Sequence, residues 1–505
     1  MILKLFIAGG YKMKKVLIVG AGIAGLSAGV YALKCGFDVT ILESHSIAGG
    51  NCTSWKRGDY LFEGGMHWLG GSNEKEALNK AWRYIGAIDD TVKFSYFEPF
   101  LVYDYKGMPI KLYRDVDKTE KHLLELSPED SKEIKNFCNN IRKVRNLSMP
   151  ITDLRGVKVT KKHSPSLSLL FSSISVVRII KKYAGMSREQ YANSFSHEGI
   201  REMFKAFPGD AQGVPMLFMT FSSLARGDGG YPEGGSLPFV KRIETLFTSL
   251  GGKILFKTHV EQVIVNNGKA IGVKSGDNEY ASDAVIVASD TMSVKNIFET
   301  LPKRTWLDEM EETTGPTMVI LVSLGVNTDL SKYPNGLLIT LKEPISFAGQ
   351  VYKSFIISNY ANNRAYSPEG KTALTIQLPG DTYDFWKKAK AENRYKEEKN
   401  RIAEAVKSAI ITQMPETDGN IEVCDVATPL TYERYCDNWK GSWMTEIKPD
   451  MKMKTYPAVI PGLDGVYFAG QRMMPPGGLP AALMSGRRAI QYICRDTDTV
   501  FISEE

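Results

Sequence analysis

Six residues near the start of the chain, Gly20-Ala21-Gly22-Ile23-Ala24-Gly25, can seat a pyrophosphate without one charged side chain. Gly20 permits a tight strand-to-helix turn, Gly22 lets a phosphate approach the backbone, and Gly25 lets helix and strand pack closely. The unpaired N–H groups and positive end of the helix then face the phosphates. Glu43 follows Gly25 by 18 residues, where a carboxylate binds ribose hydroxyls. Such a glycine pattern alone is weak, but its surroundings agree with it. Val16 to Val19 reads as a buried strand, a helix runs from Ile23 to about Lys34, Gly36 caps it in the left-handed conformation, and Phe37 to Leu42 forms the next strand, ending at Glu43. The uncharged stretch Val16 to Leu33 contains four glycines and is read as this strand and helix, not as a membrane span.

After the acid and five intervening residues stands a second glycine pair, in Glu43-Ser44-His45-Ser46-Ile47-Ala48-Gly49-Gly50-Asn51. This resembles the large FAD family of amine oxidases and carotenoid desaturases, in which the pair brings another loop to the cofactor pyrophosphate. No second glycine fingerprint follows, which argues against a chain holding FAD and NAD(P)H on separate folds. Two distant segments extend the resemblance. Thr258 to Val263 leads into an alternating strand pair and the apolar strand ending at Ala288, and the family position of Val260 holds the adenine. Gly465 to Gln471 resembles the strand that ends at the ribityl chain, and Gly477-Gly478-Leu479-Pro480 opens a helix from Ala481 to about Cys494, whose N-terminus would face the flavin. Gly470, Gln471, Gly478, Leu479 and Pro480 are therefore expected at the cofactor, although the family often has Asp where this chain has Gln471.

The block Tyr60-Leu61-Phe62-Glu63-Gly64-Gly65-Met66-His67-Trp68-Leu69-Gly70 looks like the loop beside the isoalloxazine ring in carotenoid isomerases and retinol saturases. Gly230 to Ser236 and Thr428 to Tyr435 with Gly441-Ser442 match other segments of that group. The whole chain thus resembles the phytoene desaturase, carotenoid isomerase and retinol saturase superfamily. The resemblance implies hydride transfer between FAD and a carbon of a long apolar polyene or isoprenoid chain, in desaturation, saturation or isomerisation, with NAD(P)H or a quinone as candidate external redox partner. Gly65 and Met66 would touch the flavin. His67 is the candidate catalytic residue, since imidazole titrates near working pH. Glu63 and Glu233 are weaker candidates, as carboxylates that cap turns. Two alternatives stay open: a flavin amine oxidase, disfavoured by the non-aromatic Met473-Met474-Pro475-Pro476, and a lipid carrier of the same fold that uses no FAD.

These groups need a scaffold, which the resemblance implies is α/β: a Rossmann-type FAD-binding domain (13–72, 230–292, 445–505) with a parallel sheet and a helical layer, plus an α+β substrate-binding domain (73–229, 293–444) with a mixed sheet. Residues 73–229 read as mainly helical. Strands are expected at Met318 to Leu324, Leu337 to Leu341, Ser354 to Ser358 and Ala373 to Gln377, followed by one long charged helix from about Tyr383 to Gln413. The 505 residues are 43% hydrophobic and 10% aromatic, which excludes a disordered chain. A net charge of +6 is too small for a nucleic-acid binder unless concentrated. It is concentrated: Arg155, Lys158, Lys161, Lys162, Arg178, Lys181 and Lys182 stand against Asp153 between residues 151 and 182, and the remainder is formally neutral. With Ser164-Pro165 as helix start and Leu167, Leu170, Phe171, Ile174 and Val177 on one face, this segment is a candidate membrane-facing helix. The scattered cysteines imply a reducing, cytoplasmic setting, and neither their spacing nor that of the histidines suggests a metal. Residues 1–12 lack the apolar core of a signal peptide and read as an extension or as an upstream start ahead of Met13.

Overall fold

The strand Lys15–Val19 lies at the centre of a five-stranded parallel sheet, in the order Val466–Phe468, Ala284–Val287, Lys15–Val19, Asp38–Leu42, Lys253–Leu255. The computed structural model describes residues 14–145, 150–163, 176–179, 181–183, 186–207, 213–448 and 451–504. Both faces of the sheet are covered, so apart from the strand-opening residues Lys15, Asp38 and Lys253 and the single Thr40 its strands are apolar. Val16 and Ile18 pack with the helices Ile23–Lys34 and Ser236–Ser249, while Leu17 and Val19 pack with the antiparallel meander Gln262–Asn266, Lys269–Ser275 and Asn278–Ala281. The stretch Val16 to Leu33 is thus a buried strand and helix, as expected.

A second, mixed sheet of seven strands runs in the order Ile421–Ala427, Val319–Val326, Thr372–Pro379, Gln350–Asn359, Gly336–Phe347, Leu101–Tyr105, Met108–Leu112. All its pairs are antiparallel except Gly336–Phe347 with Leu101–Tyr105. The four expected strands are present, but the segment expected to be mainly helical also supplies the last two. Their turn, Lys106-Gly107, has φ values of 52° and 87°, the pattern of a two-residue hairpin whose backbone twist matches its strands. Helices Ser131–Val144, Glu198–Ala206 and Gly213–Ala225 belong to the same insert and bury Tyr103, Tyr105, Ile110 and Leu112 of the hairpin. The single helix expected from Tyr383 to Gln413 is two, Tyr383–Ala391 and Tyr395–Gln413. Asn393 takes φ 58° between them, and the Arg394 N–H bonds back to the Ala389 carbonyl at 2.8 Å, so the first helix closes on a left-handed asparagine.

Residues 151–163, read from the sequence as part of a basic substrate-domain segment, pack on the helix Leu479–Asp496 instead. Arg487, almost fully buried, ties Asp153 at 2.8 Å and Glu504 at 2.9 Å, and Val159 bridges Phe501. Lys158 pairs with Asp498 at 2.7 Å. Most of the expected basic amphipathic helix, residues 164–175, lies outside the described residues. At its far end Val176, Ile179 and Tyr183 are buried in the helical insert, and Val177, expected on the apolar face, is 47% exposed. No helix among the described residues is long and apolar enough to cross a membrane.

Candidate active site

The two glycine loops at the carboxyl ends of the parallel strands are locked against each other. Gly22 and Gly49 form a parallel bridge, and the Gly49 N–H donates to Ala21 O at 2.9 Å. A Cβ on Gly49 would lie 2.5 Å from Cys52 O, and one on Gly25 would lie 1.9 Å from Gly20 O. Glu43, buried, accepts from the backbone N–H groups of Ala21 and His45, each at 2.7 Å. The helices Ile23–Lys34 and Leu479–Asp496 both begin at the cavity described next and have no side-chain cap. Uncapped amides beside side-chain-free loops fit the phosphates of a dinucleotide.

A continuous cavity of about 1560 Å³ starts at these loops and extends between the second sheet and the helical insert. Its size exceeds the roughly 300–1,000 Å³ that a single drug-sized ligand fills, leaving room for a second molecule beside a dinucleotide. The nucleotide end is walled by Gly20, Gly22, Ile23, Ala24, Glu43, Ser44, Gly49, Gly50 and Asn51, with Val260 and Ala288 across from them. Gly65, His67, Gly470, Gln471, Gly478, Leu479 and Pro480 stand at the middle, and Phe100, Leu101, Phe207, Met216 and Leu217 line the far chamber together with Arg188, Lys205 and Thr220. Two residues expected at the cofactor stand behind this wall. Gly25 carries the helix–strand packing, and Met66, 1% exposed, spends its N–H on Glu63.

Glu63 is the most densely bonded side chain of the site. Its carboxylate, 1% exposed, accepts from Gly64, Gly65 and Met66 N–H at 3.1 Å each, from Ser236 through both N–H and hydroxyl, and from the hydroxyls of Ser54, Tyr231 and Tyr366. The expected turn-capping role is thus observed, and it joins three loops far apart in sequence. Gly235 makes room for it, because a Cβ there would lie 2.5 Å from the Glu63 Oε2. The loop so fixed presents His67, whose two ring nitrogens are buried and have no hydrogen-bond partner among the described residues. Burial pushes its pKa below the ordinary value, with the Glu63 charge opposing. Glu233, by contrast, is exposed.

Sequence reasoning missed three groups at the centre of the cavity. Trp443 packs edge-on against His67 with ring centroids 5.2 Å apart. Arg472 and Asp290 form a buried ion pair at 2.8 Å between the loops that follow two neighbouring strands of the parallel sheet, and Arg472 also donates to Ser442 and Thr445. Asn438 donates to the Asn51 amide oxygen at 2.8 Å. The Gly441-Ser442 match was the available signal for Trp443 and Ser442. Gln471 spends its amide within the protein, donating to Trp443 O at 2.6 Å and accepting from Gly478 N at 2.9 Å, so it braces the middle of the cavity.

Residues 23–494 match the family model described as flavin containing amine oxidoreductase. The chain is 22% identical over 500 residues to prolycopene isomerase of Daucus carota, covering 95% of this chain and 80% of that protein. It is 23% identical to the all-trans-retinol 13,14-reductase of Danio rerio, over 93% and 85% of the two chains, and 20% identical to the 1-hydroxycarotenoid 3,4-desaturase of a Flavobacterium, over 94% and 98%. Among solved structures, an oxidoreductase from Methanosarcina mazei superposes with a TM-score of 0.57 at 16% identity, covering 94% of this chain and all of the other.

Proposed function

Because the chain belongs to the flavin containing amine oxidoreductase family and is an FAD-dependent oxidoreductase, we propose that it acts on the C–C bonds of a long apolar polyene or isoprenoid. The observation that carries this reading is the cavity itself, which joins the dinucleotide loops to a chamber walled by Phe100, Leu101, Phe207, Met216 and Leu217. Its named relatives are an isomerase, a reductase and a desaturase of such chains. Bound FAD supplies two-electron hydride chemistry. In this reading the Gly20–Gly25 and Gly49–Asn51 loops seat its pyrophosphate, Glu43 its ribose and Val260 its adenine, while Gly65, Gly470, Gly478 and Leu479 meet the flavin half.

The chain's own contribution is orientation, dryness and one proton. The apolar chamber excludes water and aligns a chain-like substrate along the cavity. His67 moves the proton that leaves or joins the carbon beside the one exchanging hydride; its imidazole, kept neutral by burial, is ready to accept. The chamber is tested by filling it. Thr220 lines it on the helix Gly213–Ala225, and Thr220→Trp is expected to lower polyene affinity by about tenfold or more while FAD content stays unchanged. Unaltered affinity would place the substrate elsewhere.

A further inference from the structure

We propose that the mouth of the cavity is a docking surface for an anionic phospholipid membrane, from which the substrate passes into the chamber without crossing water. The proposal rests on the reading of an apolar substrate and names the phase that supplies it. Val351 and Met453, 60% and 62% exposed, are the two most exposed large hydrophobic side chains among the described residues, and both line the cavity. A side chain that lines a cavity and yet stands mostly in solvent marks its mouth. Between the two the rim is continuous. Gln350 donates to Asp381 O at 3.3 Å, the Gly380 N–H to Met318 O at 3.3 Å and the Trp443 backbone N–H to Thr317 O at 3.0 Å, and all six residues line the cavity. Apolar groups exposed together on a polar rim mark a surface that a partner or another phase covers.

Cations accompany the apolar tips. Lys353 is exposed two residues after Val351, on the same face of the strand Gln350–Asn359. On the other side Met451, 47% exposed, and Met453 alternate with Lys452 and Lys454. From Lys448 to Lys454 three lysines stand against one acid, Asp450, and the rim itself adds Asp381 and Glu446. This segment is held out from the protein. Lys448 Nζ donates to Glu311 O at 2.9 Å and Glu312 O at 3.1 Å, Lys454 pairs with Glu309 at 2.6 Å, and the Tyr456 N–H bonds Met473 O at 2.9 Å. Tied at both ends, it keeps Met451, Lys452 and Met453 in solvent. Apolar tips that enter the acyl boundary and ammonium groups that meet lipid phosphates each bind weakly, and together they hold a protein on a bilayer without spanning it. A protein partner seated here would plug the mouth, whereas a bilayer feeds it.

The test sediments the FAD-loaded protein with vesicles of phosphatidylcholine, with and without phosphatidylglycerol. Binding is expected to the anionic vesicles, about tenfold or more weaker to phosphatidylcholine alone, and falling with added salt. Met451→Asp combined with Lys452→Glu, neither residue lining the cavity, should lower vesicle affinity by about tenfold or more, since one lysine near an anionic surface is worth about fivefold. FAD content and the thermal midpoint should not change. The same variant should slow reoxidation of dithionite-reduced flavin by a polyene dissolved in the vesicles, and leave reoxidation by a polyene in detergent micelles as it was. Equal vesicle binding by variant and unaltered protein overturns the proposal. So does release caused instead by neutralising Lys161, Lys162, Arg178, Lys181 and Lys182, and so does a dimer that the variant splits, with binding to neither vesicle, which would give the face to a second copy. Flavin that the polyene reoxidises in neither form would remove the substrate reading, and with it the proposal, even where the protein sediments with the vesicles.

Discussion

A carboxylate that takes all eight of its hydrogen bonds from neutral N–H and O–H donors fixes everything around it. Glu63 holds that position between the Ser54 strand, the Tyr231–Ser236 loop and Tyr366. Glu63→Gln preserves size but turns an NH2 group toward donors, so urea unfolding should show a loss of about 2–4 kcal/mol, with weakened flavin retention. An unchanged midpoint would contradict the positioning role. His67 gives a second handle. Its folded pKa lies below the ordinary 6.5 because burial disfavours the charged ring. The unfolded chain therefore binds a proton more readily than the native state. The His67 contribution is complete above about pH 6.5 and is lost as pH falls through that value toward the folded pKa. Stability measured from about pH 5 to 7.5 should lose part of its acid-side slope in His67→Phe, and identical slopes would count against a buried neutral imidazole.

At the scale of elements, two glycines separate close packing from backbone conformation. Gly25→Ala places a methyl against the Gly20 carbonyl and should yield protein without flavin. Gly36→Ala meets nothing within 4 Å but must adopt φ 85°, so it should keep flavin and lose about 1–2 kcal/mol on thermal unfolding. Reversed behaviour of the two variants would break this assignment. The parallel strands and the helix they feed were legible because apolar runs, glycine spacing and Glu43 are local signals. The hairpin at Lys106-Gly107 was passed over because a Lys-Gly turn is weaker punctuation than Asn-Gly, and its strands sit inside a helical stretch. The break at Asn393 was masked by the continuous charge and helical spacing on either side. The Glu63 cradle was visible only as a turn-capping acid, since Tyr366 and Ser236 reach it from 303 and 173 residues away. Trp443 was signalled only by the neighbouring Gly441-Ser442 match, its ring contact His67 being distant in sequence.

The whole molecule is arranged so that neither sheet makes the site alone. The parallel sheet supplies the glycine loops and the helix opening at Gly478, the mixed sheet and helical insert supply the chamber, and the Arg472–Asp290 pair with Gln471 braces the junction. The C-terminal tail closes the first of these parts, with Glu504 on Arg487 and Tyr31. Under the proposed function, a chain lying in the insert takes part in the chemistry at the cofactor. The most direct measurement is to reduce the FAD-loaded protein anaerobically with dithionite and follow flavin absorbance on adding a panel of polyene alcohols, carotenoids, fatty acids and quinones, with small amines offered to the oxidised form. Reoxidation by a polyene, with a product altered at a C–C bond, is the predicted result. Flavin that no polyene reoxidises, but that small amines reduce, would contradict the account.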